Sequence, residues 1–202
     1  MVELITEILD KYYPNPTTEI KWTNKFTLCV AMTLSSMCKD STVNKITDKL
    51  HEEDLFTPKA IFLNKDRVAE ILKPAGFKSK VGYVMAIAER FKDGEDPSTF
   101  KELLSFKGMG NKIASIILAC LGQIPDRFAV DTHVKRCSKR WGLTEETNVN
   151  RISRDLEILF DKSEWAKRHF QMVAYGKVHC KARGHVSCEI CDLTRIKESR
   201  ES

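Results

Sequence analysis

Apolar residues recur along this chain with a helical period. Leu4, Ile5, Ile8, Leu9 and Tyr12 fall on one stripe of a helix that has to end before Pro14, because proline breaks the helical ladder and restricts the residue ahead of it. Pro14-Asn15-Pro16 reads as a stiff connector. Phe26 to Leu34 is apolar almost throughout, which predicts a buried helix with Thr23 or Asn24 as its cap. After the polar break from Ser35 to Lys39, Asp40 is expected to cap a helix running to about Leu50. Thr57-Pro58 pairs an N-cap with a proline in the first helical turn. Short helices follow through Ile61 and from Val68 to Leu72, broken by Lys73-Pro74-Ala75-Gly76, and the 3.6 period resumes from Val81 to Phe91. Gly94 and Pro97 mark a turn, and Thr99-Phe100-Lys101-Glu102 has the spacing of a capping box. Further helices are expected over Ile113–Leu121, Val149–Phe160 and Ser163–Tyr175. With no alternating runs and no tight hairpin turns, the pattern predicts an all-α fold of short helices in a layered bundle.

Composition narrows this picture only a little. A chain of 202 residues with a hydrophobic fraction of 42% is long enough for one large domain or two compact lobes around a buried core. The surplus of Lys+Arg 33 over Asp+Glu 28, with a net charge of +5, permits a nucleic-acid partner without demanding one, since such proteins show a basic face and not merely a basic average. Glu3, Glu7 and Asp10 replace the basic start of a signal peptide, and no window approaches the ~18 apolar residues of a membrane span. A cytoplasmic protein without membrane attachment is the expectation. Of seven cysteines, Cys29, Cys38, Cys120 and Cys137 are scattered and read as packed thiols. Cys180, Cys188 and Cys191 crowd the C-terminal region, which points to metal chemistry in a reducing compartment.

The most informative stretch is Leu104 to Ser115, where Gly108 and Gly110 flank Met109 between a short helix and an apolar one. Glycines there let the chain turn sharply and let a ligand reach the backbone. The unpaired N–H groups of the turn, with the positive end of the next helix, make a site for an anion such as a DNA phosphate. Equally, a tight helix–helix turn serves structure alone. Lys112 changes the balance: it falls in the first turn of that helix, where the macrodipole disfavours a cation. In a second stretch, Arg127 to Arg136, an apolar approach delivers Asp131 to the start of a helix, where it can serve as a cap. Lys135, Arg136, Lys139 and Arg140 then form a basic face, either turned to phosphates or solvated.

Gly108-Met109-Gly110-Asn111-Lys112-Ile113-Ala114 resembles the helix–hairpin–helix of the endonuclease III family of DNA glycosylases, and Val130-Asp131-Thr132-His133 resembles that family's catalytic aspartate segment. The likeness extends through Pro14 to Glu19, through Asp40 and Val43-Asn44-Lys45, and through Gly76-Phe77 with Ser79-Lys80. It implies a two-lobed helical glycosylase fold with a DNA cleft between the lobes. One lobe is expected over residues 20–128 with the hairpin at about 104–121, and the other from residues 1–19 with 129–202. The implied activity is bifunctional. A damaged base, by family an oxidised pyrimidine, is flipped out of double-stranded DNA and released by Lys112 attack at C1′. The strand is then nicked by β-elimination, and abasic sites are substrates for that step. Asp131 either takes a proton or stabilises the developing charge on the sugar. Gly108, Met109, Gly110, Asn111 and His133 are expected to contact DNA, and Met37 or Phe77 to fill the gap left by the flipped base. The protein is expected to act as a monomer with the nucleoid. The readings set against this one are a monofunctional glycosylase for alkylated or mismatched bases and a non-catalytic DNA-binding module.

The chain departs from the family at its C-terminal region. The family implies four cysteines around a [4Fe–4S] cluster, yet the fourth position falls near Lys197 and no cysteine follows Cys191. Three readings are open: a cluster with a non-protein or unusual fourth ligand, a Cys₃His zinc site completed by His179 or His185, and a loop without metal packed by apolar contacts. Zinc ranks behind the cluster, and the chemistry needs neither.

Overall fold

The computed structural model describes residues 1–76 and 78–194, with residue 78 described by its backbone only. These residues fold into helices α1 (Val2–Tyr12), α2 (Lys25–Leu34), α3 (Asp40–Glu52), α4 (Pro58–Leu63), α5 (Lys65–Leu72), α6 (Lys78–Lys92), α7 (Phe100–Leu104), α8 (Asn111–Cys120), α9 (Thr132–Arg140), α10 (Val149–Leu159) and α11 (Trp165–Val178). Among the described residues there is no strand, so the fold is all-α as the periodicity predicts. Residues 189–194 add a further short helix that the polar composition of the tail does not announce.

Two compact units divide the chain: Thr18–Gln123, and Met1–Thr17 with Ile124–Ser202. In the middle unit α2 is the buried axis, with every residue from Phe26 to Leu34 withdrawn from water. It packs on α6 and α8, and α4 packs on α6. Asn24 caps α2 in a reciprocal arrangement with Thr27, accepting from the Thr27 amide at 3.0 Å. Thr57 caps α4 and Thr99 caps α7, the latter with Glu102 completing the box. Asp40 departs from expectation. Lys39 occupies the cap position of α3 without a side-chain hydrogen bond, and Asp40 is the first helical residue. An acid there faces the positive end of the macrodipole, so the sequence signal for a helix start is right while its register is off by one.

The unit that carries both ends of the chain has its own core, in which Ile5 and Leu9 of α1 meet Phe128, Trp141, Ile152, Leu156 and Tyr175. α11 packs on both α1 and α9. One buried polar network ties α1 to α11. Arg168 donates to Asp10 at 2.6 Å and to Gln171 at 2.8 Å, and Gln171 donates to Asp10 at 2.7 Å and to the Tyr13 carbonyl at 2.9 Å. Arg168 is only 4% exposed, so its charge has to be met inside the protein. Partial burial opposes ionisation of Asp10, but hydrogen bonds from Arg168, Lys167 and Gln171 outweigh it and hold the carboxyl well below the usual carboxylate range.

Because the folded-state pKa of Asp10 is depressed, its contribution is present above the unfolded value and is lost as pH falls through the folded one. Asp10→Asn is expected to cost about 1–3 kcal/mol near neutral pH. Urea titrations run at falling pH should show the gap between variant and parent closing below the ordinary carboxylate range. A gap that stays constant into strong acid would remove Asp10 from this role.

Candidate active site and metal-ligand cluster

Two helix N-termini carry the candidate catalytic residues Lys112 and Asp131. α7 leads through residues 105–110 into α8. Gly108 has φ of +87°, and a Cβ placed on it would lie 2.4 Å from Cδ2 of Tyr83, so both the backbone and the packing require glycine. Gly110 is different. Its backbone is extended, a Cβ would meet nothing within 4 Å, and it stands at the cap of α8 without supplying a side-chain bond. The first turn of α8 therefore begins with open space ahead of its amides, the arrangement that admits a phosphate. Met109 faces the other way: at 5% exposure its side chain is core, and its amide donates to the Phe106 carbonyl at 3.1 Å. Asn111 is exposed, and Lys112, half-buried, is the second residue of α8. Gly108 to Lys112 are thus brought together on one turn.

Asp131 caps α9, its Oδ1 accepting from the Val134 amide at 2.8 Å. The segment before it, Phe128-Ala129-Val130, is buried yet lies in neither helix nor strand, so its backbone groups need side-chain partners. They have them. Glu157 accepts from the Phe128 amide at 3.0 Å, Ser153 donates to the Phe128 carbonyl at 2.8 Å, and His169 Nδ1 lies 2.9 Å from the Ala129 carbonyl. Sequence reasoning missed these three positioning residues, because their partners lie 25 to 40 positions away. His133 follows on α9, where Arg136 Nη2 donates to its Nδ1 at 3.2 Å. A guanidinium only donates, so the ring proton sits on Nε2.

On the basic face of α9, Lys139 is exposed and the other three cations hydrogen-bond within the protein. Lys135 donates to the Thr147 carbonyl at 2.7 Å, and Arg136 donates to the carbonyls of Gly176 at 2.8 Å and Cys180 at 3.0 Å. Arg140 donates to the Lys181 carbonyl at 2.7 Å and to Cys180 Sγ at 3.4 Å. Three of the four cations thus satisfy carbonyls at chain ends and loops, where helix geometry leaves acceptors unpaired.

In the middle unit, Met37 is 87% exposed and has φ of +53°, an unusual pairing for an apolar residue. Phe77, the other candidate wedge, lies outside the described residues. Lys80, part of the second loop that resembles the family, is buried, with only 4% of it reaching water. Its ammonium donates to the carbonyl of Leu34, the last residue of α2, at 2.9 Å and to that of Ala75 at 2.8 Å. Burial pushes this lysine below its ordinary value. One cation thereby joins the chain entering the Met37 turn to the chain entering the Gly76 turn.

Cys180, His185, Cys188 and Cys191 bring one donor atom each to within 4.8 Å of one another. His179 is not among them; its ring packs edge-on against Tyr12 and tilted against Tyr175. The Cys137 thiol and then the Arg140 guanidinium hold Cys180 well below the ordinary thiol value, with His185 also contributing. Cys29, buried elsewhere, is pushed up to about 12 by desolvation and is a packed thiol. The expected fourth cysteine position lies outside the described residues, and the sequence has no cysteine there. What the described residues offer is a Cys₃His set, not the four thiolates of a cubane cluster.

A helical hairpin with an uncapped glycine turn, a lysine in the following turn and a capping aspartate define a class of DNA repair protein. The model of the HhH-GPD superfamily of base excision DNA repair proteins matches residues 30–162. Endonuclease III of Rickettsia felis is 34% identical over 98% of this chain and 94% of its own length. The same enzyme of Synechocystis is 34% identical over 96% of the chain and 90% of its length. A solved structure of a trapped endonuclease III–DNA covalent intermediate superposes with a TM-score of 0.87 at 29% identity, covering 100% of this chain and 99% of that one. A thermostable thymine-DNA glycosylase, at 15% identity and a TM-score of 0.79 over 95% and 94% of the two chains, shares the fold. The chain belongs to the endonuclease III family of that superfamily.

Gly108→Ala is expected to lose about 1–3 kcal/mol of stability through backbone strain and the Tyr83 contact. Gly110→Ala should cost no more than about 1 kcal/mol while weakening DNA binding, because its Cβ intrudes on the approach to the α8 amides. Chemical denaturation beside salt-dependent DNA titration distinguishes the two glycines. Equal stability losses would end that distinction.

Proposed function

We propose that Lys112 is the nucleophile and Asp131 its carboxylate partner in a DNA glycosylase with abasic-site lyase activity, acting on oxidised pyrimidines in base excision repair. The observation that carries the reading is the position of Lys112, directly behind the uncapped Gly110 turn in the first turn of α8. Attack at C1′ takes the lone pair of an amine, and Lys112 is the lysine that the first turn of α8 carries. The amine adds to C1′, the base leaves with the glycosidic electron pair, and the sugar ring opens to an imine bound to Lys112. Loss of a C2′ proton then expels the 3′ phosphate, and water releases the sugar from the lysine.

Asp131 meets this sequence as a carboxylate whose direction is set by its cap to Val134. It supports the positive charge that grows on the sugar, or holds the proton that the nucleophile sheds. The amides that follow Gly110 grip a phosphate, and Asn111 and His133 add contacts to the DNA. Met37, exposed on its strained turn, enters the stack where the flipped nucleotide leaves. No step is routed through the cysteine cluster. The substrate places the protein with the cell's DNA, and no helix among the described residues is long and apolar enough to cross a membrane.

Borohydride trapping on DNA carrying an abasic site tests the nucleophile. The parent protein should form a covalent adduct and Lys112→Gln should form none, while Asp131→Asn should slow base release by roughly 10²–10⁴-fold. An adduct that survives Lys112→Gln would move the nucleophile elsewhere. Base release without any adduct in the parent protein would make the enzyme monofunctional.

A further inference from the structure

The family's iron–sulfur cluster and the donors present here do not match, and the mismatch has a definite geometry. Cys180 Sγ and Cys191 Sγ are 4.0 Å apart, and all four donors of the Cys180, His185, Cys188 and Cys191 set lie within 4.8 Å of one another. A tetrahedral zinc with Zn–S bonds of about 2.3 Å sets its thiolates about 3.8 Å apart. A four-iron cubane binds each terminal thiolate to a different iron and therefore spreads its ligands well beyond this spacing. We propose that these four residues hold a single zinc ion in a Cys₃His site, in place of an iron–sulfur cluster.

Three further observations support a built site. Nε2 of His185 is buried and has no hydrogen-bond partner, an expensive state for an imidazole that a metal would relieve. Gly184, immediately before it, has φ of +65°, so the chain reverses just where the histidine must turn back toward the cysteines. The order Cys-x₄-His-x₂-Cys-x₂-Cys keeps three of the four ligands within seven residues, a short-range spacing typical of structural zinc loops. Three thiolates around a divalent ion leave one negative charge. Arg140, donating to Cys180 Sγ at 3.4 Å, is placed to offset it from outside the ligand shell. Arg140 and Arg136 both lie on α9, so the ion would fasten the C-terminal loop to the helix that Asp131 caps. Zinc has no redox chemistry, so the ion itself would be structural and would carry no electron.

Metal and acid-labile sulfide analysis of the full-length protein, purified without added metal, reads the outcome directly. The expected result is about one zinc per chain, with iron and sulfide near background and no visible cluster absorption. Cobalt exchanged into the site should give the intense d–d bands of a tetrahedral ion and thiolate-to-cobalt charge transfer. His185→Ala should lose the metal, His185→Cys should keep it, and His179→Ala should keep it. Stoichiometric iron with sulfide, a folded protein that takes up no metal, or zinc retained in His185→Ala would overturn the proposal. Should His185→Ala fail to fold, the cobalt spectrum of the parent protein decides, and octahedral bands or missing charge transfer count against it.

Discussion

A helix exposes amide donors at its start that its own backbone cannot satisfy, and the way each start is satisfied decides what this protein can do. Asn24, Thr57, Thr99 and Asn148 close helix ends with side-chain oxygens, and those ends are finished structure. α8 starts on Gly110, which contributes no side-chain bond. The donors there stay available to a ligand, and Lys112 sits among them. α9 starts on Asp131, whose Oδ1 is committed to the cap. The same bond that finishes the helix aims the carboxylate. A cap and an oriented carboxylate are therefore one residue, so the role proposed for Asp131 does not compete with its structural one.

Fixing these two helix ends takes different means. The α8 end is set locally, by the positive φ of Gly108 against the Tyr83 ring. The α9 end is set from afar. Glu157, Ser153 and His169 bind the backbone of the chain that delivers Asp131, and Arg136 and Arg140 hold the opposite side of α9 to the C-terminal loop. Buried polar groups of this kind are costly unless every donor and acceptor is met. Meeting them with neutral carbonyls, as the two arginines do, keeps the helix rigid without demanding acidic partners. A metal in the Cys₃His set would stiffen the same support from its far end, which gives the loop a reason to persist in a chain that lacks the fourth cysteine.

Much was legible in the sequence because the signals were local. The 3.6 period of Leu4 to Tyr12, the Asn24 cap, the Thr57-Pro58 start and the Thr99–Glu102 box all act within one or two turns, and each helix forms where those signals place it. Asp40 missed by one residue, since a first-turn acid and a capping acid read alike until backbone angles are known. The glycine turn with its lysine was legible for the same reason: both features lie within five consecutive residues.

Tertiary structure alone decided the fate of charges and of metal donors. Nothing near Lys80 in the chain says that it is buried, and its acceptors at Leu34 and Ala75 come from separate segments. Lys135, Arg136 and Arg140 looked like a solvated or phosphate-facing stripe because their helical spacing is all a sequence shows; the carbonyls they meet belong to Thr147, Gly176, Cys180 and Lys181. His179 and His185 were equal candidates by position, and folding separated them by packing one against the Tyr12 and Tyr175 rings and burying Nε2 of the other without a partner beside the thiols. Local periodicity and capping determine helices, because their energies depend on neighbours in the chain. Where a long side chain ends depends on which distant carbonyl or thiol lies within its reach, and only the assembled fold supplies that.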